Sequence, residues 1–318
     1  MRAIQISEFG GPEVLRLVDL PDPEQTGTLA VYDVHAAGVN YADTLQAEDG
    51  YLTPQTLPMV PGGEFAGVGP DGRRVVGLLL SGGGYAEKVS TITELTWPVP
   101  DGVGDGAALT VVVQGSTAWH ALHTCAHLAV GESVLVHAAA GGVGTLAVQL
   151  AKAAGARRVI GLASTAEKRE LALELGADAV LDPGAEDLKA AVEEANGGRK
   201  VDVVLETTGG PVFDASLAAL APFGRLVTYG MASRVPPTPI EPAALLTGSR
   251  AVIGFWLARC VRRPAMLHEP IRRLLEMIRT GALRPVVGGT YPLADARRAH
   301  EDIRARRTTG KLVLDTRR

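Results

Sequence analysis

The residues best suited to bind a ligand form a glycine-rich turn, AAAGGVG at 138–144. An apolar strand pattern precedes this turn and an apolar helical pattern follows it, which is the setting that a dinucleotide-binding turn requires. Gly141 would let the backbone approach a pyrophosphate, and Gly144 would let the helix pack closely on the strand. Free N–H groups at the start of the helix would face the phosphates. The predicted cofactor-binding residues of the turn are Ala140, Gly141, Gly142, Val143 and Gly144.

The turn departs from the G-x-G-x-x-G pattern at one position, where Ala139 replaces the first glycine. An ordinary strand-to-helix turn is therefore the alternative interpretation. The regular alternation of strands and helices around the turn favours cofactor binding.

The end of the next predicted strand indicates which nicotinamide cofactor binds. It carries Ser164 and Thr165, and Lys168 follows at the start of a helix. Sites for NAD commonly place an acid here, against the ribose 2′-hydroxyl, and this strand end has none. Hydroxyl and ammonium donors suit a 2′-phosphate, so we predict NADPH. The alternative is that Ser164 or Thr165 only caps the helix.

Apolar strands alternate with alanine-rich helices from about residue 111 to about residue 256. Strands are predicted at 133–137, 158–163, 179–181, 201–206, 225–229 and 252–257, and helices at 143–154, 166–175, 185–195 and 211–220. This order predicts an α/β fold with a doubly wound parallel sheet.

The first third of the chain and its tail differ from this middle part. Short alternating segments predict strands at 3–7, 15–20 and 28–36, and the tail carries predicted helices at 270–279 and 294–305 and a strand at 311–314. We therefore predict a β-rich substrate domain of residues 1–112 and 258–318. A dinucleotide-binding domain of residues 113–257 would be inserted into it.

Composition limits the class of protein. The chain has 318 residues, of which 46% are hydrophobic and 21% charged, as in a globular protein with two domain-sized cores. No apolar run reaches the roughly 18–20 residues of a membrane span, and the first residues lack a secretory-signal pattern. The 2 cysteines are too few for a disulfide framework. These features predict a cytoplasmic protein that does not span a membrane.

Arginines crowd the segment 259–318, although the net charge of the chain is −4. Acids such as Glu276, Asp295, Glu301 and Asp302 interrupt the arginines, which favours a solvated helix face over a nucleic-acid patch. An RNA-binding protein that depends on a nucleotide is the alternative from another class, but few aromatic residues accompany the arginines.

A second cluster comprises His120, His123, Cys125 and His127. On a helix, the three histidines would lie along one face. No carboxylate accompanies them, so packing is favoured over metal binding, and no metal site is predicted.

The motifs together resemble the quinone oxidoreductase (zeta-crystallin-like) branch of the medium-chain dehydrogenase/reductase superfamily. The similarity covers nearly the whole chain, and the order and spacing of its landmarks are specific. Besides the glycine-rich turn, the landmarks are AGVNYAD at 37–43, GY at 50–51, PGGEFAG at 61–67, GGYAE at 83–87, GSTA at 115–118 and TGKLV at 309–313. The resemblance implies a Rossmann sheet inserted into a GroES-like domain. It also implies a homodimer that pairs through the segment 251–257.

The resemblance also explains an absence. Zinc alcohol dehydrogenases of this superfamily have a cysteine at the position of Asn40 and a histidine at that of Gly63, and neither residue found here is a good zinc ligand. Without a Lewis acid, oxidation of simple alcohols is disfavoured. The implied reaction is zinc-independent hydride transfer from NADPH to an electron-poor acceptor, a quinone or an enone.

The same resemblance assigns the catalytic roles to Asn40 and Tyr51, which would line the pocket facing the nicotinamide. Asn40 would hydrogen-bond a substrate carbonyl or the cofactor. Tyr51 would stack on a flat ring or donate a proton, although a phenol with a pKa of about 10 is a slow acid. Thr117 would lie near the nicotinamide.

Three further residues are predicted cofactor contacts by resemblance. Gly209 and Gly230 follow predicted strands, and Lys311 lies near the end of the chain. Simple loop geometry is the alternative for the two glycines, and a strand start is the alternative for Lys311.

One stretch departs from the family pattern. Family members often carry an arginine between the asparagine and the tyrosine, whereas residues 44–49 here are TLQAED. The departure leaves the acceptor open, so an enoyl-thioester or alkenal reductase is the second candidate enzyme.

Overall fold

The protein divides into two compact units in a computed structural model that describes residues 1–318. Unit 1 comprises Met1–Val113 and Cys260–Arg318, and unit 2 comprises Gln114–Arg259. The predicted boundaries, after residues 112 and 257, lie within two residues of the boundaries between these units.

The strands are β1 (Arg2–Gln5), β2 (Arg16–Asp19), β3 (Leu29–Val39), β4 (Glu64–Val68), β5 (Arg74–Leu78), β6 (Lys88–Ile92), β7 (Thr96–Pro98), β8 (Ser133–Val136), β9 (Arg158–Leu162), β10 (Ala179–Leu181), β11 (Val201–Glu206), β12 (Leu220–Thr228), β13 (Ala251–Gly254), β14 (Val287–Pro292) and β15 (Lys311–Asp315). The α-helices are α1 (Tyr41–Ala47), α2 (Asp105–Thr110), α3 (Ser116–Trp119), α4 (Gly142–Ala153), α5 (Ala166–Glu174), α6 (Leu188–Ala195), α7 (Gly210–Ala218), α8 (Pro242–Gly248), α9 (Ala265–Arg279) and α10 (Ala296–Arg304). No helix combines the length and the apolar composition that a bilayer crossing requires.

Unit 2 is built on a six-stranded sheet with the order β10-β9-β8-β11-β12-β13, in which every neighbouring pair is parallel. Its central strand β8 is buried along its whole length. Such continuous burial is typical of parallel strands that have helices on both faces. The predicted doubly wound parallel sheet is confirmed.

Unit 1 contains a mixed sheet with the order β14-β15-β3-β4-β5-β7, and β6 also pairs with β3. Only β14 and β15 pair in parallel. Strand β15 lies between β14 and β3, where Leu312 is paired with Val39. The end of the chain is therefore an interior strand of this sheet, as a GroES-like body built from both ends of the chain requires.

The tail helix α9 begins five residues before its predicted start at residue 270. Proline is tolerated best in the first turn of a helix, and Pro270 lies in the second turn of α9. However, Leu267, Ile271 and Leu274 form one buried face that continues past Pro270. The free energy gained by burying this face exceeds the cost of the one helical hydrogen bond that the proline removes.

The prediction that three histidines share one helix face is wrong. The helical segment ends with a π-helical turn at His120–Cys125, and His127 lies beyond it with a φ of 47°. The His120 ring stacks on Phe255 with centroids 5.4 Å apart, and His123 packs on Trp119 with centroids 4.4 Å apart. The first two histidines are thus packing residues of unit 2.

Candidate functional site

The glycine-rich turn connects β8 to α4 in unit 2. Gly141 is the N-cap of α4 in an extended conformation, with φ −82° and ψ 178°. The first N–H groups of this 12-residue helix lack partners within the helix and can bind an anion. A Cβ atom at Gly144 would lie 2.1 Å from the Ala138 carbonyl oxygen. No residue with a side chain could bring the helix this close to the strand.

Ala139, the departure from the glycine pattern, has a structural compensation in β9. Ala139 is fully buried, and a Cβ atom at Gly161 would lie 2.8 Å from the Ala139 methyl group. The absence of a side chain at Gly161 on the neighbouring strand therefore leaves the space that the Ala139 methyl group needs. The turn keeps its close packing although its first residue carries a side chain.

Ser164 and Thr165 lie between β9 and α5. Thr165 is the N-cap of α5, where its Oγ1 accepts a hydrogen bond of 3.3 Å from the backbone N–H of Lys168. The capping alternative thus holds for Thr165, while Ser164 is exposed beside it. Arg169, which the sequence did not single out, donates from Nη1 to the Ala163 carbonyl oxygen at 2.9 Å. The end of β9 therefore carries hydroxyl and cationic groups and no acid from 163 to 165.

Glu206, the last residue of β11, organises the loop that contains Gly209. Its Oε1 accepts hydrogen bonds of 2.6 Å from the backbone N–H groups of Thr208 and Gly209. Its Oε2 accepts a 3.0 Å hydrogen bond from the Thr228 hydroxyl, at the end of β12. Gly209 has a φ of 79°, a conformation that L side chains rarely adopt. The carboxylate therefore fixes a loop at the carboxyl ends of the parallel strands, which is the edge of the sheet where ligands of such folds bind.

His137 supports this carboxylate from the end of β8. Its Nδ1 lies 3.5 Å from Glu206 Oε1, and its Nε2 lies 2.9 Å from Ser216 Oγ. Burial raises the pKa of Glu206, but His137 and the N–H donors outweigh that effect and hold the pKa below its usual value. An acid at the end of the buried strand VDVVLE is the sequence signal that could have identified this residue.

Gly230 follows β12 at the same sheet edge. A Cβ atom here would lie 2.4 Å from Thr207 Oγ1, so the position admits no side chain without a shift of the threonine. The three loops that follow β8, β11 and β12 thus bring the turn, Gly209 and Gly230 to one edge of the sheet.

Asn40 lies in unit 1, where it follows β3 and is the N-cap of α1. Its Nδ2 donates a 2.8 Å hydrogen bond to Glu64 Oε1, and its Oδ1 accepts a 3.0 Å hydrogen bond from Lys311 Nζ. Lys311 Nζ also forms an ion pair with Glu64 Oε1, and both of these charged side chains are fully buried. Lys311 is therefore the first residue of β15, which agrees with its interpretation as a strand start, and its ammonium group contacts Asn40.

Comparisons with known proteins extend over the whole chain. A family model described as zinc-binding dehydrogenase matches residues 142–278. The quinone oxidoreductase of Pseudomonas aeruginosa is 35% identical over 324 residues, which cover 98% of this chain and 99% of that protein. The chain belongs to the zinc-independent quinone oxidoreductase family of medium-chain dehydrogenases/reductases.

Two solved structures of quinone oxidoreductases are similar throughout. The Thermus thermophilus protein, solved alone and with NADPH, is 40% identical with a TM-score of 0.89, covering 99% of this chain and 100% of that one. The Escherichia coli protein, solved with NADPH, is 31% identical with a TM-score of 0.93 and the same coverage. The resemblance identified from the sequence motifs is confirmed.

The donor set at the zinc position of related alcohol dehydrogenases does not fit zinc in this member of the quinone oxidoreductase family. The Asn40 amide is bound to Glu64 and Lys311, and Gly63 has no side chain. A zinc ion needs thiolate, imidazole or carboxylate ligands. The described residues contain no group of three or more His, Cys, Asp or Glu side chains that could hold a metal ion.

Tyr51 and Thr117 are the remaining predicted site residues of this family member. Tyr51 is half-buried in the loop between α1 and β4 of unit 1, and Thr117 is buried in α3 of unit 2. Their roles beside the nicotinamide stay predictions.

A buried chain of hydrogen bonds connects α1 to α10 in unit 1. The Tyr85 hydroxyl donates to Asp43 Oδ2 at 2.9 Å and lies 3.1 Å from His300 Nε2. Burial raises the pKa of Asp43 to about 6, and burial lowers the pKa of His300 to about 4. Both groups therefore resist charging inside the fold, which makes the stability of the protein depend on pH.

We expect His300→Gln to gain stability relative to the parent protein in acid. As the pH falls from 6.5 to 4, the unfolded chain protonates His300 before the folded protein does, which lowers the free energy of unfolding. Asp43 acts in the opposite direction, because its folded pKa lies above the usual 3.8 and protonation stabilises the fold as the pH falls through 6. Only the second effect remains in the variant. Urea unfolding should show that the free energy of unfolding of the variant, relative to that of the parent protein, is about 2 kcal/mol higher at pH 4.5 than at pH 7.

The exposed His127 provides the control for this experiment. His127→Gln should follow the parent profile at both pH values. An equal pH profile for His300→Gln and the parent would contradict the assigned burial effect.

Proposed function

We propose that the protein reduces quinones by hydride transfer from NADPH, without zinc, in the cytoplasm. The observation that carries the proposal is the glycine-rich turn of unit 2, in a chain similar over its whole length to quinone oxidoreductases solved with NADPH. NADPH supplies the hydride, and a quinone accepts it without metal activation because its ring is electron-poor.

The residues of unit 2 would bind and orient the cofactor. The first N–H groups of α4 would hold the pyrophosphate, with Gly141, Gly142 and Gly144 permitting its approach. Ser164 and Lys168 would bind the 2′-phosphate, with Thr165 fixing the start of α5 between them. The loops that contain Gly209 and Gly230 would close the site at the edge of the sheet.

The residues of unit 1 would bind the substrate. The Asn40 amide would hydrogen-bond a carbonyl oxygen of the quinone, and this bond strengthens as the oxygen gains charge during hydride transfer. Tyr51 would stack on the quinone ring. Orientation of the two reactants is the main contribution that the protein makes to such a reaction.

The test is anaerobic oxidation of NADPH by metal-analysed protein with an ortho-quinone, a para-quinone, an alkenal and an enoyl-thioester. We expect quinones to be turned over fastest. Fast turnover of the alkenal or the thioester with slow turnover of quinones would overturn the proposal in favour of C=C reduction.

The preference for NADPH has its own prediction. Lys168→Ala removes a cation from the end of β9, so KM for NADPH should rise about 10-fold or more while KM for NADH stays unchanged. Lys189→Ala is the matched control, because this lysine pairs with Glu193 along α6. A parent protein that binds NADH more tightly than NADPH would contradict the assignment.

The arginines of the tail do not support RNA binding. Several of them form ion pairs with acids one turn away on the same helix: Arg272 with Glu269, Arg279 with Glu276, and Arg297 with Glu301. Such pairing lowers the local positive charge on which RNA binding would depend.

We also propose a homodimer that pairs through β13. This strand is an edge of the six-stranded sheet and is only half-buried over Ala251–Ile253. A second copy of the chain could continue the sheet there by pairing its own β13. Light scattering should give twice the mass of one chain, and a monomeric mass would refute the pairing.

A further inference from the structure

Two opposite charges lie buried next to Asn40. Glu64 and Lys311 are fully buried, come from strands 247 residues apart in sequence, and form an ion pair. A Cβ atom at Gly38 would lie 2.5 Å from Glu64 Oε1 and 2.7 Å from Lys311 Nζ. The absence of a side chain at Gly38 therefore leaves the space that the pair occupies.

Stability alone is a weak explanation for such a pair. Removing two charges from water costs free energy that their attraction often fails to recover, and well-packed apolar residues commonly serve as well. Most of the remaining contacts of this pair lie at Asn40 or at the adjacent Val39, and one binds Glu64 to Val113. Lys311 Nζ donates to the Val39 carbonyl oxygen at 3.3 Å and to Asn40 Oδ1, while Glu64 Oε2 accepts a 2.9 Å hydrogen bond from the Val113 N–H.

The chemistry of the two groups admits one orientation of the amide. An ammonium group can only donate and a carboxylate can only accept, so the Asn40 oxygen must face Lys311 and its nitrogen must face Glu64. An amide rotated by half a turn would place its N–H groups against the ammonium and its oxygen against the carboxylate. Both contacts would then be repulsive.

We propose that Glu64 and Lys311 are positioning residues that hold the Asn40 amide in a single orientation. In this orientation the Asn40 nitrogen donates one N–H to Glu64 and can donate the other to the substrate carbonyl. The inference rests on the proposed quinone reduction, in which Asn40 contacts the substrate. Glu64 and Lys311 act through Asn40 and need not touch the substrate themselves.

The test replaces both charges by neutral groups of similar shape, in the double variant Glu64→Gln/Lys311→Met. A glutamine can accept from the Asn40 nitrogen or donate to its oxygen, so the two charges no longer forbid the rotated amide. The Asp43 backbone N–H, which donates to the Asn40 side chain in the capping box of α1, is then the remaining contact that favours the observed orientation. Each single variant leaves one charge buried and alone, which endangers folding. The double variant avoids that problem.

A readout independent of catalysis is available because Asn40 and Asn196 are the only asparagines in the sequence. Selective ¹⁵N labelling of asparagine gives two side-chain amide groups in the NMR spectrum. We expect the Asn40 signals of the double variant to broaden or to split into two sets. The Asn196 signals, whose Nδ2 donates to the Lys200 carbonyl oxygen at 2.8 Å in unit 2, should stay unchanged.

The kinetic readout uses the same variants. We expect kcat for quinone reduction to fall about 10-fold or more in the double variant, with an unchanged Kd for NADPH. Asn40→Ala should cost the parent at least as much, and should cost little further when added to the double variant. The control Glu132→Gln/Arg225→Met removes a partly exposed ion pair of unit 2 and should keep the parental kcat.

The outcomes distinguish a failure of the proposed quinone reduction from a failure of the positioning role. If the parent protein reduces no quinone while the NMR signals change as expected, the function is wrong and the pair still orders the amide. If the double variant keeps the parental kcat or the parental Asn40 signals, the positioning role is overturned and the pair is structural only.

Discussion

Replacing Gly144 with alanine is expected to weaken NADPH binding strongly. The added methyl group would lie 2.1 Å from the Ala138 carbonyl oxygen and 2.8 Å from the Ala139 Cα atom. Both neighbours belong to the backbone of the turn and cannot rotate away, so α4 must move off β8 and its N-terminus must leave the pyrophosphate. We expect the Kd for NADPH to rise about 100-fold, a loss of about 3 kcal/mol of binding free energy.

Fluorescence titration with NADPH measures this change directly. Gly104→Ala is the control, because an added methyl group there meets no atom within 4 Å. Its Kd for NADPH should equal that of the parent. Tight binding of NADPH by Gly144→Ala would show that the turn is not the pyrophosphate site.

Replacing Glu206 with alanine is expected to cause a large loss of stability in unit 2. The substitution leaves the N–H groups of Thr208 and Gly209 and the Thr228 hydroxyl without their buried acceptor. Each lost acceptor of this kind costs about 1–3 kcal/mol. We expect urea unfolding to show a loss of about 4 kcal/mol, together with weaker NADPH binding because the Gly209 loop loses its support.

A graded series tests the cause. Glu206→Gln retains a side-chain oxygen that can accept from Thr208 and Gly209, so it should lose less than half as much stability as Glu206→Ala. The exposed Glu194→Ala on α6 controls for loss of a carboxylate from the same unit. Equal losses for the Gln and Ala variants would contradict the acceptor role of the carboxylate.

Local patterns predicted much of unit 2, because its signals are short in sequence. Gly141, Gly142 and Gly144 stand next to the strand and the helix that they connect, and periodicity identified that strand and helix directly. The helix α6 began at Leu188 and not at 185, because Asp187 caps it through a hydrogen bond from the Ala190 N–H. Such differences move an element boundary and leave the fold unchanged.

The buried charges of unit 1 could not be predicted in the same way. Lysine is almost always exposed, and its burial here depends on Glu64, which is distant in sequence. The sequence pattern GKLV indicated a strand start at Lys311 but carried no information about its partner. For Glu206, the acid at the end of a buried strand is visible in the sequence, but its hydrogen bonds to the loop of Gly209 are not.

The interior place of β15 in its sheet has a consequence for synthesis on the ribosome. All of Gln114–Arg259 emerges before Lys311, so unit 2 can fold while unit 1 still waits for its last strand. During that interval the β3 edge that pairs with β15 is open, and the Glu64 carboxylate has no counter-charge. The nascent chain therefore passes through a state with an exposed apolar strand edge, in which association with other nascent chains competes with completion of the fold.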